Sequence, residues 1–174
     1  MSSEKSKWET PVTMTTKEYF TTPFLNPHEG FVKLVRELEK EIGKEKAHKM
    51  VAKVRDDCAR DFADKMGGGK EFDSFEDFLN NFIPAINNNM LANNNEGGYT
   101  EESPEYAMKV IYPSCIFPEI YEEWDALDIG YLWNCMGDYA MVNAFCEQAG
   151  FERPECLMKG DENCTFCWKW RETR

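Results

Sequence analysis

The chain has 174 residues, 42% of them hydrophobic and 14% aromatic, and a formal charge of −12. A chain of that size supports a single domain whose core can enclose a small pocket. Its charge disfavours non-specific attraction to nucleic acid or anionic membrane, and no apolar run reaches the roughly 20 residues of a spanning helix.

Residues 1–25 are threonine-rich and aperiodic, and are expected to form an N-terminal arm ahead of a single domain over 26–174. Their start, MSSEKSKWET, lacks the apolar stretch of a secretory signal, which leads to the expectation of a cytoplasmic, reducing location. NPHE then predicts a helix start, with Asn26 as N-cap, Pro27 in the first turn and Glu29 closing a capping box. Phe31, Leu34, Val35, Leu38 and Ile42 make its apolar stripe, and Gly43 ends it. A second helix follows, with Met50, Val51, Val54, Cys58, Phe62 and Met66 at helical spacing, and the glycines at 67–69 stop it. The charge-rich faces of these two helices read as solvated. Ser74 and Asp77 start a third helix faced by Phe75, Phe78, Leu79, Phe82 and Ile83, which Pro84 is expected to bend or end.

The asparagine-rich stretch from Asn87 to Tyr99 predicts a loop. EYAMKVIY alternates Tyr106, Met108, Val110 and Tyr112 on one face and predicts a strand. SCIFPEIYEEWDAL reads as a short helix with Pro118 in its first turn, and Gly130 separates it from an apolar helix, NCMGDYAMVNAFC. The end, FERPECLMKGDENCTFCWKW, predicts a β-hairpin turning around Gly160 and Asp161, with Phe166, Trp168 and Trp170 on Cys164's face as core aromatics. Tyr131, Trp133 and Trp124 either wall a pocket or pack in the core, and packing is preferred. The fold class is therefore α/β of the α+β kind: N-terminal helices on a small, mainly antiparallel sheet, with the 131–148 helix buried between them.

Six of the seven cysteines fall in the last 60 residues, and the two histidines, His28 and His48, lie far from them in sequence. In a reducing compartment such a cluster points to metal binding, catalysis or packing rather than disulfides. Asp138 is the single carboxylate of the apolar helix, where a charge is costly unless paired, hydrogen-bonded, protonated or facing a wet cavity. Cys135, three residues earlier, shares its face, and Cys146, about three turns on, returns to a similar one. Asp138 is thus an acid/base candidate, or else a structural acceptor for a loop amide. Cys115 sits at the mouth of the following helix, whose dipole favours a thiolate, while Cys58 and Cys146 fit inert packing. Cys135, Cys156 and Cys164 form an alternative thiolate zinc set, subject to the register of the hairpin.

In this order of features (Cys115 after a strand, Gly130, Cys135 with Asp138, then KGDENCTF) the chain resembles the L-2-amino-thiazoline-4-carboxylic acid hydrolase family, over roughly residues 30–170. The resemblance implies a small enzyme that opens a cyclic isothiourea by adding water, and it carries over Cys115, Cys135, Asp138, Asp161 and Cys164 as pattern positions without assigning their roles. The residues are compatible with that chemistry: Asp138 to bind the amidinium-like part of the substrate and move protons, and either Cys135 or Cys115 as nucleophile with no cofactor required or, alternatively, a thiolate-held metal such as zinc to activate water. Cys156 and Cys167 stand outside that pattern, and Gly160 and Asp161 are read as turn residues. The C-terminal spacing is also similar to four-vinyl-reductase domains, so the alternative is a zinc-containing, sensor-like small-molecule-binding domain. An enzyme fold without activity is a third reading. The expected partner is a small-molecule substrate, not nucleic acid or membrane, and the oligomeric state stays open, a homodimer included.

Overall fold

A computed structural model describes residues 14–21, 27–89 and 95–171. Helix α1 (Thr16–Thr21) belongs to the N-terminal arm and docks on α5 (Ile116–Glu123) through Lys17, which pairs with Glu119 and Glu123. Asn26, the expected cap, lies outside the described residues. Helix α2 (His28–Ile42) starts after Pro27, and Glu29 pairs with Lys33. Gly43, at φ +85°, turns the chain into α3 (Lys44–Lys65), the left-handed conformation glycine adopts without strain.

The buried face of α3 is not the one its largest apolar residues suggest. Ala47, Val51, Ala59 and Ala63 are buried, whereas Met50 and Val54 are about half exposed and Cys58 is exposed rather than packed. Small side chains four residues apart form a shallow ridge that lets a second helix approach closely. That helix is α7 (Gly137–Phe145), which packs on α3 on one side and on the sheet on the other. Similarly, α2 buries Val32 and Val35 and leaves Leu34 exposed. Helix α4 (Phe75–Asn89) begins at Ser74, whose Oγ accepts a hydrogen bond from the Asp77 amide. It runs through Pro84 instead of stopping there, burying Phe78 and Phe82.

The stretch expected to be a loop is therefore partly helical, and its far end enters two short strands, β1 (Asn95–Glu96) and β2 (Tyr99–Thr100). Strand β1 pairs with β4 (Ser114–Cys115). The main sheet is antiparallel in the order β2, β3 (Met108–Tyr112), β6 (Cys164–Trp170), β5 (Ala149–Glu152). The C-terminal hairpin has no tight turn. Residues 153–163 hold a 3₁₀ turn, Leu157–Lys159, and Gly160 in the left-handed region, so Cys156 lies in the connection and not on a strand. Asp161 stabilises this loop by accepting the Cys156 amide at 2.8 Å.

This is a single-domain α+β fold with a buried central helix. No helix of the described residues is long and apolar enough to cross a membrane.

Candidate active site

The site starts from a local fault in the central helix. After α6 (Leu127–Gly130) the chain widens into a π turn, Tyr131–Cys135, in which the Met136 amide reaches back to the Tyr131 carbonyl. Tyr139 donates to the Met136 carbonyl, so the Cys135 carbonyl is free to take a side-chain donor. Such turns cluster at functional sites because they redirect side chains and release backbone groups. Gly130 permits the turn to pack: a Cβ there would lie 2.6 Å from the Tyr121 ring. The turn also breaks the expected alignment. Cys146 leaves α7 in an extended conformation and packs with Phe145 and Trp168, far from the face it was expected to share with Cys135.

The group that takes the Cys135 carbonyl is Arg153. One guanidinium nitrogen donates to that oxygen at 2.9 Å and the other to Asp138 Oδ2 at 2.5 Å. The Arg153 side chain is 3% exposed, with its guanidinium 4.4 Å from the Phe166 ring centre and 5.4 Å from that of Phe151. Burial works against this cation, but Asp138 and the nearby thiols outweigh it and hold the arginine charged. Asp138 is therefore neither a lone buried charge nor a loop-amide acceptor: it is the partly exposed half of an ion pair whose other half is buried.

Cys135 and Cys156 place their sulfurs 3.8 Å apart, and the Leu157 amide donates to Cys164 Sγ at 3.3 Å. Within this trio the Cys156 thiol is held well below its ordinary range, first by hydrogen bonding from Cys135, then from Cys164, with help from the Met158 amide and Arg153. The Cys135 thiol is pushed up, by that same hydrogen bond and by burial, and Cys164 likewise. These hydrogen bonds thus favour the thiolate at Cys156 and the neutral thiol at Cys135 and Cys164. Cys115 caps α5 as expected, but burial outweighs the Phe117 amide, so its thiol is pushed up and not down.

A cavity of about 970 Å³ opens at these residues, a size that admits a small heterocycle. Cys115, Cys135, Asp138 and Cys164 all line it, and so does Arg153. Cys156 lies behind the wall, 2% exposed. Trp133, Trp124 and Tyr131 do not line it. They pack on Phe31, on Tyr121 and beneath Lys159. Phe166 and Trp168 do line it, and Trp170 packs on Phe75 and Phe78.

The cavity carries a further residue that pattern reading passed over. Arg55 lies on the buried ridge of α3, four residues from both Val51 and Ala59, and lines the cavity wall. Its guanidinium carbon is 5.8 Å from the Trp133 ring centre. A Cβ on Gly137 would come within 2.3 Å of its Nε, so a larger residue there would push the guanidinium out of its present place.

As for metals, among the described residues Glu39, His48 and Asp128 bring three ligand atoms within 4.8 Å of one another, and the thiol trio does not. The two carboxylates of that group are already paired with Arg36 and Lys44.

Residues 24–168 match the model of the family described as L-2-amino-thiazoline-4-carboxylic acid hydrolase, and no curated protein matches the chain. The match spans most of the chain, so the protein belongs to the L-2-amino-thiazoline-4-carboxylic acid hydrolase family.

Proposed function

We propose that this family member hydrolyses a small cyclic isothiourea, 2-amino-thiazoline-4-carboxylate or a close analogue, in the cavity between the π turn, α5 and β6. The observation that carries the reading is one thiol, Cys135, set in the cavity wall between the Cys156 sulfur behind it and an ion-paired carboxylate beside it. Cys135 attacks the ring carbon between sulfur and nitrogen, and its proton passes to Asp138. Asp138 accepts the N–H groups of the protonated amidine, which makes that carbon more electrophilic, and carries protons to the departing ring nitrogen. The ring C–N bond breaks, leaving the carbon bound to Cys135. Water then adds to that carbon and the Cys135 thiolate leaves, so one water is consumed per ring opened. Arg153 holds Asp138 and the π turn in register throughout.

The test is incubation of purified protein with 2-amino-thiazoline-4-carboxylate, with products followed by mass spectrometry and thiol titration. Ring opening with the gain of one water is expected, and C–N cleavage leaves the substrate sulfur without a free thiol. Release of a free thiol would assign C–S cleavage instead. Absence of turnover across thiazolines, hydantoins and related cyclic amidines would contradict the hydrolase reading.

A second reading rests on the 3.8 Å between Cys135 and Cys156, the spacing of two thiolates on one tetrahedral zinc with bonds of about 2.3 Å. It makes the protein a ligand-binding domain in which Cys135, Cys156 and Cys164 hold zinc. Stoichiometric zinc in purified protein, lost in Cys156→Ser and Cys164→Ser, supports it, and metal-free active protein excludes it.

A further inference from the structure

We infer that Arg55 is the residue that selects substrates bearing a carboxylate. The inference deepens the hydrolase reading and rests on it for the ring that carries that group. Of the residues lining the cavity, three bear fixed charges: Arg55, Asp138 and Arg153. Asp138 and Arg153 pair with each other, although the buried Arg153 Nε has no partner, whereas Arg55 makes no hydrogen bond or ion pair at all among the described residues, and its buried Nε is unpartnered too. An unpaired guanidinium held at a cavity is costly unless a ligand anion completes it.

The framework explains how that cost is met. Arg55 replaces what would be one more small residue in the ridge Ala47, Val51, Ala59, Ala63 that faces α7, and Gly137 on α7 makes room for it. The Trp133 ring further restricts the guanidinium. A planar fork held in this way matches a carboxylate better than a flexible lysine does. The cavity is then bipolar, with Arg55 for an anion and Asp138 for a cationic amidine, and a ring carrying both groups is oriented by the two.

Binding is measured calorimetrically with thiazolidine-4-carboxylate, a saturated ring lacking the exocyclic nitrogen, and with its uncharged carboxamide. The wild type is expected to prefer the carboxylate by about 10- to 100-fold. Arg55→Gln should abolish that preference and Arg55→Lys should keep part of it. Equal binding of the two probes by the wild type, no binding of the carboxylate, or a preference undiminished in Arg55→Gln each overturns the inference. The wild-type comparison decides the matter even where Arg55→Gln does not fold. Turnover is scored separately: carboxylate preference without turnover defeats the hydrolase reading and leaves Arg55 assigned.

Discussion

Each charged or nucleophilic group at this site is defined by a neighbour. Arg153 is buried deeply enough that its charge depends on Asp138, and Asp138 owes its fixed position to Arg153. The Cys135 thiol is pushed up first by its hydrogen bond to Cys156 and then by burial, so its neighbour keeps it protonated. A specific outcome follows. In Cys156→Ser, alkylation of Cys135 by iodoacetamide near neutral pH should quicken, because the largest cause raising its thiol is removed, read by peptide mass spectrometry. An unchanged or slower rate would mean that Cys156 does not hold Cys135 protonated.

At the scale of elements, the sequence and the structure agree where burial follows pattern and part where it follows packing. The α5 start at Cys115, the β3 strand and the apolar helix around Asp138 were readable because apolar periodicity and a lone charge are local signals. The π turn was not, since hydrogen bonds shift there without any distinctive residue. Arg153 was hidden because an arginine in FERPEC looks like an ordinary loop cation, and its partner lies in another element. Arg55 was hidden for a different reason. Hydropathy favoured Met50 and Val54, but the close approach of α7 selects the alanine ridge one residue on, and Arg55 falls on that ridge. The spacing 47, 51, 55, 59, 63 was the available signal: an arginine in the middle of four small or medium apolar residues. The hairpin register failed as a guide to the thiols because its connection is long enough to bring Cys156 beside Cys135 from outside the sheet.

For the molecule as a whole, two partly buried groups link stability to pH. His28 Nδ1 and the Tyr121 hydroxyl share a hydrogen bond of 2.8 Å, and burial pushes that hydroxyl up to about 12, so it stays neutral across the working range. Burial, then the charge of Arg55, lowers the His28 pKa to about 4. Between pH 6.5 and about 4 the unfolded chain therefore binds a proton that the folded chain refuses, so this contribution to stability is full above 6.5 and is lost as pH falls. Asp128, raised by burial but lowered more by Lys44 and Arg36, sits at about 2, and its contribution is lost further down, below 3.8. The melting temperature should fall progressively from pH 6.5 to 4, and His28→Gln should flatten that limb. An equal slope in the variant would place the titration elsewhere.

The proposed hydrolysis depends most directly on the chemistry of one sulfur. Comparing kcat/KM for 2-amino-thiazoline-4-carboxylate between the wild type and Cys135→Ser, with circular dichroism to establish that both are folded, isolates it. A fall of at least about 100-fold is predicted, with a covalent adduct on the Cys135 peptide of the quenched wild type and none on the variant. A folded Cys135→Ser protein turning over at the wild-type rate would contradict the account.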